Sequence, residues 1–333
     1  MVIYYIGAFP PNYGGVTIKN KNLYDALTGQ MDIRKIDMNL VKRGNFTEML
    51  RFGWAMLVGK QYVIGLAGQG NRRVFTKLMY YFKRKAMRRS IMLIMGGIVD
   101  DMLAAEYVKK LNTYRCVYVE LPGMARKLEA AGAENVGIYP NGRLRPERLP
   151  AIAENGDQLQ CVYFSIIQPE KGVGLTLQAA ERLQEMHFHF YGEIQPSYQQ
   201  EFLGLIAGKN NVTYHGIFKG DAETVYRELA KYDVLLLPTR WKAEGLPGIL
   251  IEAKIAGLPA VISDHNFNRE IVRHNDDGII LQKTSEEDLI ASLRILDADR
   301  ARLMKMKQAA RKSAEEYYID ICAAQAVKDL TER

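Results

Sequence analysis

Apolar residues along this chain come in short bursts that alternate with longer amphipathic stretches. Runs at 2–6, 62–67, 91–95, 116–119 and 136–139 have the length of buried strands, while 16–27 and 124–131 carry apolar residues at helical spacing, the second ending near Gly132. Residues 143–158 break the pattern, being polar, holding Pro146 and Pro150, and showing no apolar period. The alternation then resumes, with strand-like runs at 160–165, 188–191, 212–214, 233–238, 260–264 and 278–281 and helical stretches at 174–184 and 301–318. Strands alternating with helices predict parallel sheets covered on both faces. The expected architecture is α/β: two Rossmann-like domains, 1–145 and 159–310, facing each other across a cleft, with a linker at 146–158 and a helical end at 311–333.

The bulk numbers agree with that picture. A chain of 333 residues suffices for two domains of ordinary size, and 48% hydrophobic with 25% charged content is typical of a globular protein. The formal charge of +7 says little until its distribution is known. Three widely spaced cysteines, Cys116, Cys161 and Cys322, form no C-x-x-C pair, so neither a zinc site nor a disulfide framework is indicated, and a reducing cytoplasm is the expected compartment. Residues 1–9 are short for a signal peptide and lack its charged start, and no apolar run approaches the ~20 residues that span a bilayer.

The segment with the most chemistry is Glu244-Gly-Leu-Pro-Gly-Ile-Leu-Ile-Glu252. It follows the buried run at 233–238 and precedes that at 260–264, so it reads as a glycine turn and helix between two strands. Such a turn lies at the carboxyl end of a strand, where open α/β sheets bind ligands. The first N–H groups of the helix have no internal partner and suit an anion such as a diphosphate. One carboxylate is then placed for ribose hydroxyls and the other for sugar hydroxyls. The competing reading is an ordinary strand-to-helix loop with two solvated glutamates.

This segment resembles the E-x7-E motif of the retaining GT-B glycosyltransferases of family 4. The similarity runs on through Ile251-Glu-Ala-Lys-Ile-Ala-Gly-Leu-Pro-Ala-Val-Ile-Ser-Asp264, Arg269-Glu-Ile-Val272 and Asp277-Gly278. The resemblance implies transfer of a hexosyl-type sugar from a nucleotide-diphosphate sugar, with retention and without a metal. Glu252 would hold the ribose, Glu244 the sugar hydroxyls, and Gly245, Leu246, Pro247 and Gly248 the diphosphate. A UDP-sugar is the expected donor, ahead of a GDP-sugar. The family's C-terminal helix crosses back onto the first domain.

Other segments match more weakly. Gly14-Gly15 resembles the family's N-terminal glycine loop near the donor phosphates and acceptor, although a glycine pair also serves simple turn geometry. Phe164-Ser-Ile-Ile-Gln-Pro-Glu-Lys171-Gly172 is similar to a pattern in which arginine and lysine neutralise the diphosphate; here Lys171 is present but Ile166 stands where the arginine belongs. Arg240 or Lys242 is the candidate replacement cation. Met95-Gly96-Gly97, on the acceptor side, occupies the place where many relatives carry a histidine. All five histidines lie in the second half, and His215, in a glycine turn after a strand, is by default a packed loop residue. Pro140-Asn141-Gly142 resembles the hinge that closes the first domain, and Tyr191-Gly192-Glu193 a loop near the nucleotide. The acidic pairs Asp100-Asp101, Asp276-Asp277 and Asp297-Ala-Asp299 read as solvated charge, so no metal ligand is assigned.

Residues 71–90 hold eight Lys and Arg and no acid: Arg72, Arg73, Lys77, Lys83, Arg84, Lys85, Arg88 and Arg89. Phe75, Leu78, Met79 and Phe82 recur at helical spacing, so the segment predicts a basic amphipathic helix that packs its apolar stripe and turns its charges to an anionic membrane. No nucleic-acid motif accompanies it. The expected protein lies at the inner face of the cell membrane and acts on a saccharide or lipid-linked saccharide in polysaccharide or glycolipid assembly. Ile166 and Met95 keep open a non-catalytic partner subunit, and a sugar-nucleotide epimerase on the same fold is the third reading.

Overall fold

In a computed structural model, which describes residues 2–11, 14–154 and 156–332, the chain forms two units. The first takes in Met1–Arg145, Ala243–Leu246 and Tyr317–Arg333; the second is Pro146–Lys242 with Pro247–Glu316. Residues 146–158 are thus part of the second unit, and the helix that the sequence places at 301–318 stops at Ser313, within it.

The first unit is built on six strands: β1 Ile3–Gly7, β2 Ile33–Asp37, β3 Tyr62–Gly65, β4 Ile91–Leu93, β5 Cys116–Val119 and β6 Val136–Ile138. They lie in the order β2-β1-β3-β4-β5-β6, all parallel. The central strands are apolar on both faces, as helix-covered strands must be. β2, with exposed Arg34 and Lys35, is an edge strand and has no counterpart in the sequence reading. Ile319, Ala323, Ala326 and Leu330 of the C-terminal segment join Ile3, Tyr5 and Val63 in one core, and Gln61 Nε2 donates to Leu330 O at 2.9 Å.

The second unit holds β7 Gln160–Phe164, β8 His187–Tyr191, β9 Val212–Tyr214, β10 Val234–Leu237, β11 Ala260–Ser263 and β12 Gly278–Leu281. Their order, β12-β11-β10-β7-β8-β9, is again fully parallel. The chain builds outward from β7 to β9, then crosses to β10 on the other side of β7. The gap between β7 and β10 is therefore the topological switch point, where the loops after two neighbouring strands diverge and leave a crevice. In the first unit the equivalent gap lies between β1 and β3.

The basic segment departs from its expected form. It is two helices, Gln69–Phe82 and Arg84–Met87, interrupted at Lys83. Phe75 and Met79 face the core, but Leu78 is exposed and Phe82 is 79% exposed. Arg72 is 2% exposed, its guanidinium donating to Leu66 O and Met95 O, so it is removed from the residues able to touch lipid. A charge on the inward side of an amphipathic helix is drawn to unpaired carbonyls at strand ends, which periodicity alone does not reveal.

Candidate active site

In the first unit the loop after β1 leads to exposed Gly14, whose extended backbone caps the helix Gly15–Thr28. Asn12 and Tyr13 of that loop lie outside the described residues. Two residues of the helix tie the sheet's carboxyl edge together. Asn20 Nδ2 donates to Ala8 O and Gly65 O at 2.8 Å each, spanning the switch point. Lys19, fully buried, donates to Glu120 Oε1 at 3.1 Å and Tyr139 O at 3.0 Å. Burial pulls the Lys19 ammonium below its usual pKa, and the Glu120 carboxylate opposes that shift.

Glu120 has a second task. Its Oε2 accepts from the backbone N–H of Gly96 at 3.2 Å and of Leu246 at 3.1 Å. Asn141 Nδ2 donates to Leu246 O at 3.2 Å, and Arg143 steadies Asn141 Oδ1 at 2.7 Å. The Glu244-Gly245-Leu246 segment is thereby held on the Met95-Gly96-Gly97 turn, with Gly97 N donating to Ala243 O at 3.2 Å. A Cβ on Gly97 would collide with the Glu244 carbonyl, and one on Gly245 with Glu120 Oε2, so both glycines are needed for backbone to lie on backbone. Glu244 itself is buried. Sequence reading had singled out both glycine turns; it missed Lys19 and Glu120, which lie 101 residues apart and match no motif.

In the second unit the pieces converge on the switch point. β7 runs into the short 3-10 turn Pro169–Lys171 and then Gly172. Gly172 has φ 82°, and a Cβ there would strike Pro238 O at the end of β10. Arg240 N donates to Glu170 O at 2.7 Å, so the Lys171 turn and the loop after β10 are joined. His265 Nε2 bonds Trp241 O at 3.0 Å, adding the loop after β11. Half-buried Glu252 sits in the helix Gly248–Ala256, which opens after Pro247 with no side-chain cap. That helix is fixed from behind by buried Lys254, which bonds Asp277 at 2.6 Å and Ser313 Oγ at 2.8 Å. The guanidinium of Arg240 bonds the Thr284 carbonyl, and Ile166 is exposed where a cation was sought.

His215 belongs to a different cluster. Its ring stacks on Tyr191 at 4.4 Å and bonds His189 Nδ1 at 2.9 Å, with His189 Nε2 on Gln160. Burial, with His187 and His215 close by, pushes the His189 pKa down to about 4. Among the described residues no group of three or more His, Cys, Asp or Glu stands where it could hold a metal.

Residues 145–313 match the family model described as glycosyl transferases group 1. The amylovoran biosynthesis glycosyltransferase AmsK of Erwinia amylovora is 25% identical over 62% of this chain and 53% of its own length. A UDP-Gal:alpha-D-GlcNAc-diphosphoundecaprenol alpha-1,3-galactosyltransferase of Escherichia coli is 29% identical over 29% of this chain and 24% of its own. The chain thus spans about half, or less, of the curated relatives it matches. Among solved structures, Anabaena Alr3699/HepE in complex with UDP superposes with a TM-score of 0.72 at 14% identity, covering 99% of this chain and 100% of that one. Sucrose-phosphate synthase from Thermosynechococcus elongatus gives 0.76 at 15% identity, covering 98% of each. At such identities the likeness is one of fold, and that fold is GT-B. With the family model covering half of its length, the chain belongs to the glycosyl transferases group 1.

Proposed function

We propose that this protein transfers a sugar, of hexosyl type, from a UDP-sugar to a saccharide or lipid-linked saccharide, with retention at the anomeric carbon and without a metal. The observation that carries the reading is the convergence, at the switch point of the second unit, of the Lys171 turn, the loop after β10 and the uncapped start of the Gly248–Ala256 helix. Helix N–H groups and an ammonium are the chemistry that binds a diphosphate and stabilises it as it departs. Glu252 accepts from the ribose hydroxyls, Glu244 from the sugar hydroxyls, and the Gly14-Gly15 loop and Met95–Gly97 turn serve the acceptor side. In a retaining reaction on one face of the sugar the leaving phosphate takes the acceptor's proton, so the protein's work is positioning and electrostatic stabilisation. AmsK by its name serves amylovoran biosynthesis, and the E. coli relative by its name acts on a diphosphoundecaprenol-linked sugar; both support an acceptor of this class. An acceptor of that kind places the enzyme at the inner face of the cell membrane, with the exposed cations of residues 73–89 toward it.

The test is incubation of the purified protein with UDP-sugars and lipid-linked or free saccharides, reading UDP release and product anomer. Transfer with retention is expected, and Lys171→Ala should lower kcat about 10²–10³-fold, as loss of one charge-stabilising contact does. The exposed Ile166, with the Arg240 side chain bonded to Thr284, favours one other reading, a non-catalytic partner of another transferase. No turnover with any UDP-sugar, despite UDP binding, would select it.

A further inference from the structure

The helix Phe46–Val58 is built the wrong way round for a soluble domain. At 3.6 residues per turn, Phe46, Met49, Leu50, Gly53, Trp54 and Leu57 share one face. That face points outward: Phe46 and Leu57 are each 72% exposed and Trp54 60%. The inward face holds Ala55 and buried Glu48, whose carboxylate accepts from Asp37 N at 2.7 Å and pairs with Arg51 at 2.9 Å. A second apolar row lies nearby. The connections β2 to β3 and β3 to β4 run the same way across the sheet, so right-handed crossovers place their helices on the same face. On the Gln69–Phe82 helix Val74, Leu78, Tyr81 and Phe82 are exposed, and Lys83 Nζ donates to Leu57 O at 2.9 Å, joining the two helix ends.

The charge around this face identifies what covers it. Residues 38–99 contain twelve Lys and Arg and a single acid, Glu48, a surplus larger than the +7 of the whole chain. Glu48 is buried, so no carboxylate of this stretch reaches the surface to oppose the cations. Contiguous exposed apolar surface marks an interaction site. A rim of one sign around aromatic and aliphatic side chains fits anionic headgroups above an acyl boundary. Among the described residues no helix is long and apolar enough to cross a membrane.

We infer that the Phe46–Val58 helix lies in the surface of an anionic bilayer with Phe46, Leu50, Trp54 and Leu57 immersed, the cations of the Gln69–Phe82 and Arg84–Met87 helices contacting headgroups beside it. Apolar insertion and charge together make the two signals that stable anchoring takes. The inference rests on the membrane-facing reading above, and its test needs neither nucleotide nor acceptor, so its failure is separate from failure of sugar transfer.

The protein contains two tryptophans, and Trp241→Phe leaves Trp54 as the sole reporter. This variant is mixed with vesicles of phosphatidylcholine, with or without phosphatidylglycerol, at low and high salt, and then with brominated lipid. Binding should require phosphatidylglycerol, persist in part at high salt, and quench Trp54. With Trp241 kept, Trp54→Ser together with Leu57→Ser should lower partitioning, read by co-sedimentation with the vesicles, about tenfold or more, since each immersed side chain is worth at least that order, while circular dichroism and UDP binding stay unchanged. Absence of binding overturns the inference. So does binding that salt abolishes while Trp54 stays unquenched, which is docking by charge alone. A protein that is dimeric without lipid and becomes monomeric in the Ser variant overturns it too, because the face then covers a second copy.

Discussion

Glu120 is the residue that ties the loops of the first unit together, since one carboxylate bonds a buried ammonium, the Gly96 turn and the Leu246 backbone. Removing one partner of a buried ion pair leaves the other charge uncompensated, at a cost of about 3–5 kcal/mol. Glu120→Gln should therefore lose about that much stability in urea unfolding, and release the Glu244–Leu246 segment to faster amide exchange. A loss under about 1 kcal/mol would mean that Lys19 sheds its proton readily and that the pair contributes little. The pair was invisible in the sequence because neither residue sits in a pattern: Lys19 reads as one more polar residue of an amphipathic helix and Glu120 as a strand end. Arg72 misled for the converse reason, since a run of cations suggests a solvated surface and gives no sign that one of them turns inward.

Elements carry the second set of consequences. Gly172 joins the Lys171 turn to β10 through a left-handed backbone and a contact no side chain permits, so Gly172→Ala should cost about 1–3 kcal/mol from backbone strain and weaken UDP binding along with it. Thermal unfolding and nucleotide titration of that variant check both parts, and UDP affinity unchanged in a destabilised protein would detach the turn from the site. The histidines of β8 predict a pH dependence. His189 titrates at about 4 in the fold, below its ordinary 6.5, so the unfolded chain binds more protons between these values. Stability contributed by the neutral ring is present above about 6.5 and lost as pH falls toward 4. For a ring this exposed the loss is about 1–2 kcal/mol after solvent screening, and His189→Asn should flatten the slope of Tm against pH across this window. Elements that form a continuous apolar run bounded by turn residues could be placed from sequence, as in the strands flanking Glu244 and Glu252. The Phe46–Val58 helix carries apolar residues at helical spacing, but spacing does not tell that its apolar stripe faces outward and its acid inward. β2 escaped because an edge strand reading Ile-Arg-Lys-Ile-Asp has too few apolar residues to stand out.

On the scale of the whole molecule, two parallel sheets were implied by alternation of strands and helices, whereas their strand order, and with it the switch points, came only from the pairing of the strands. The division of the chain between the units was less visible, because it depends on contacts rather than composition: Glu244 goes with the first unit and Glu252 with the second, eight residues away. The central claim is that the second unit binds a nucleoside diphosphate where the Lys171 turn meets the start of the Gly248–Ala256 helix that carries Glu252. Its most direct test is calorimetric titration of the purified protein with UDP, GDP and ADP, beside Glu252→Ala. The account predicts that UDP binds in preference to the others and that the variant weakens it by about tenfold or more, as loss of a charged hydrogen bond does. Binding of none of the three, or UDP affinity equal in the variant, would contradict it.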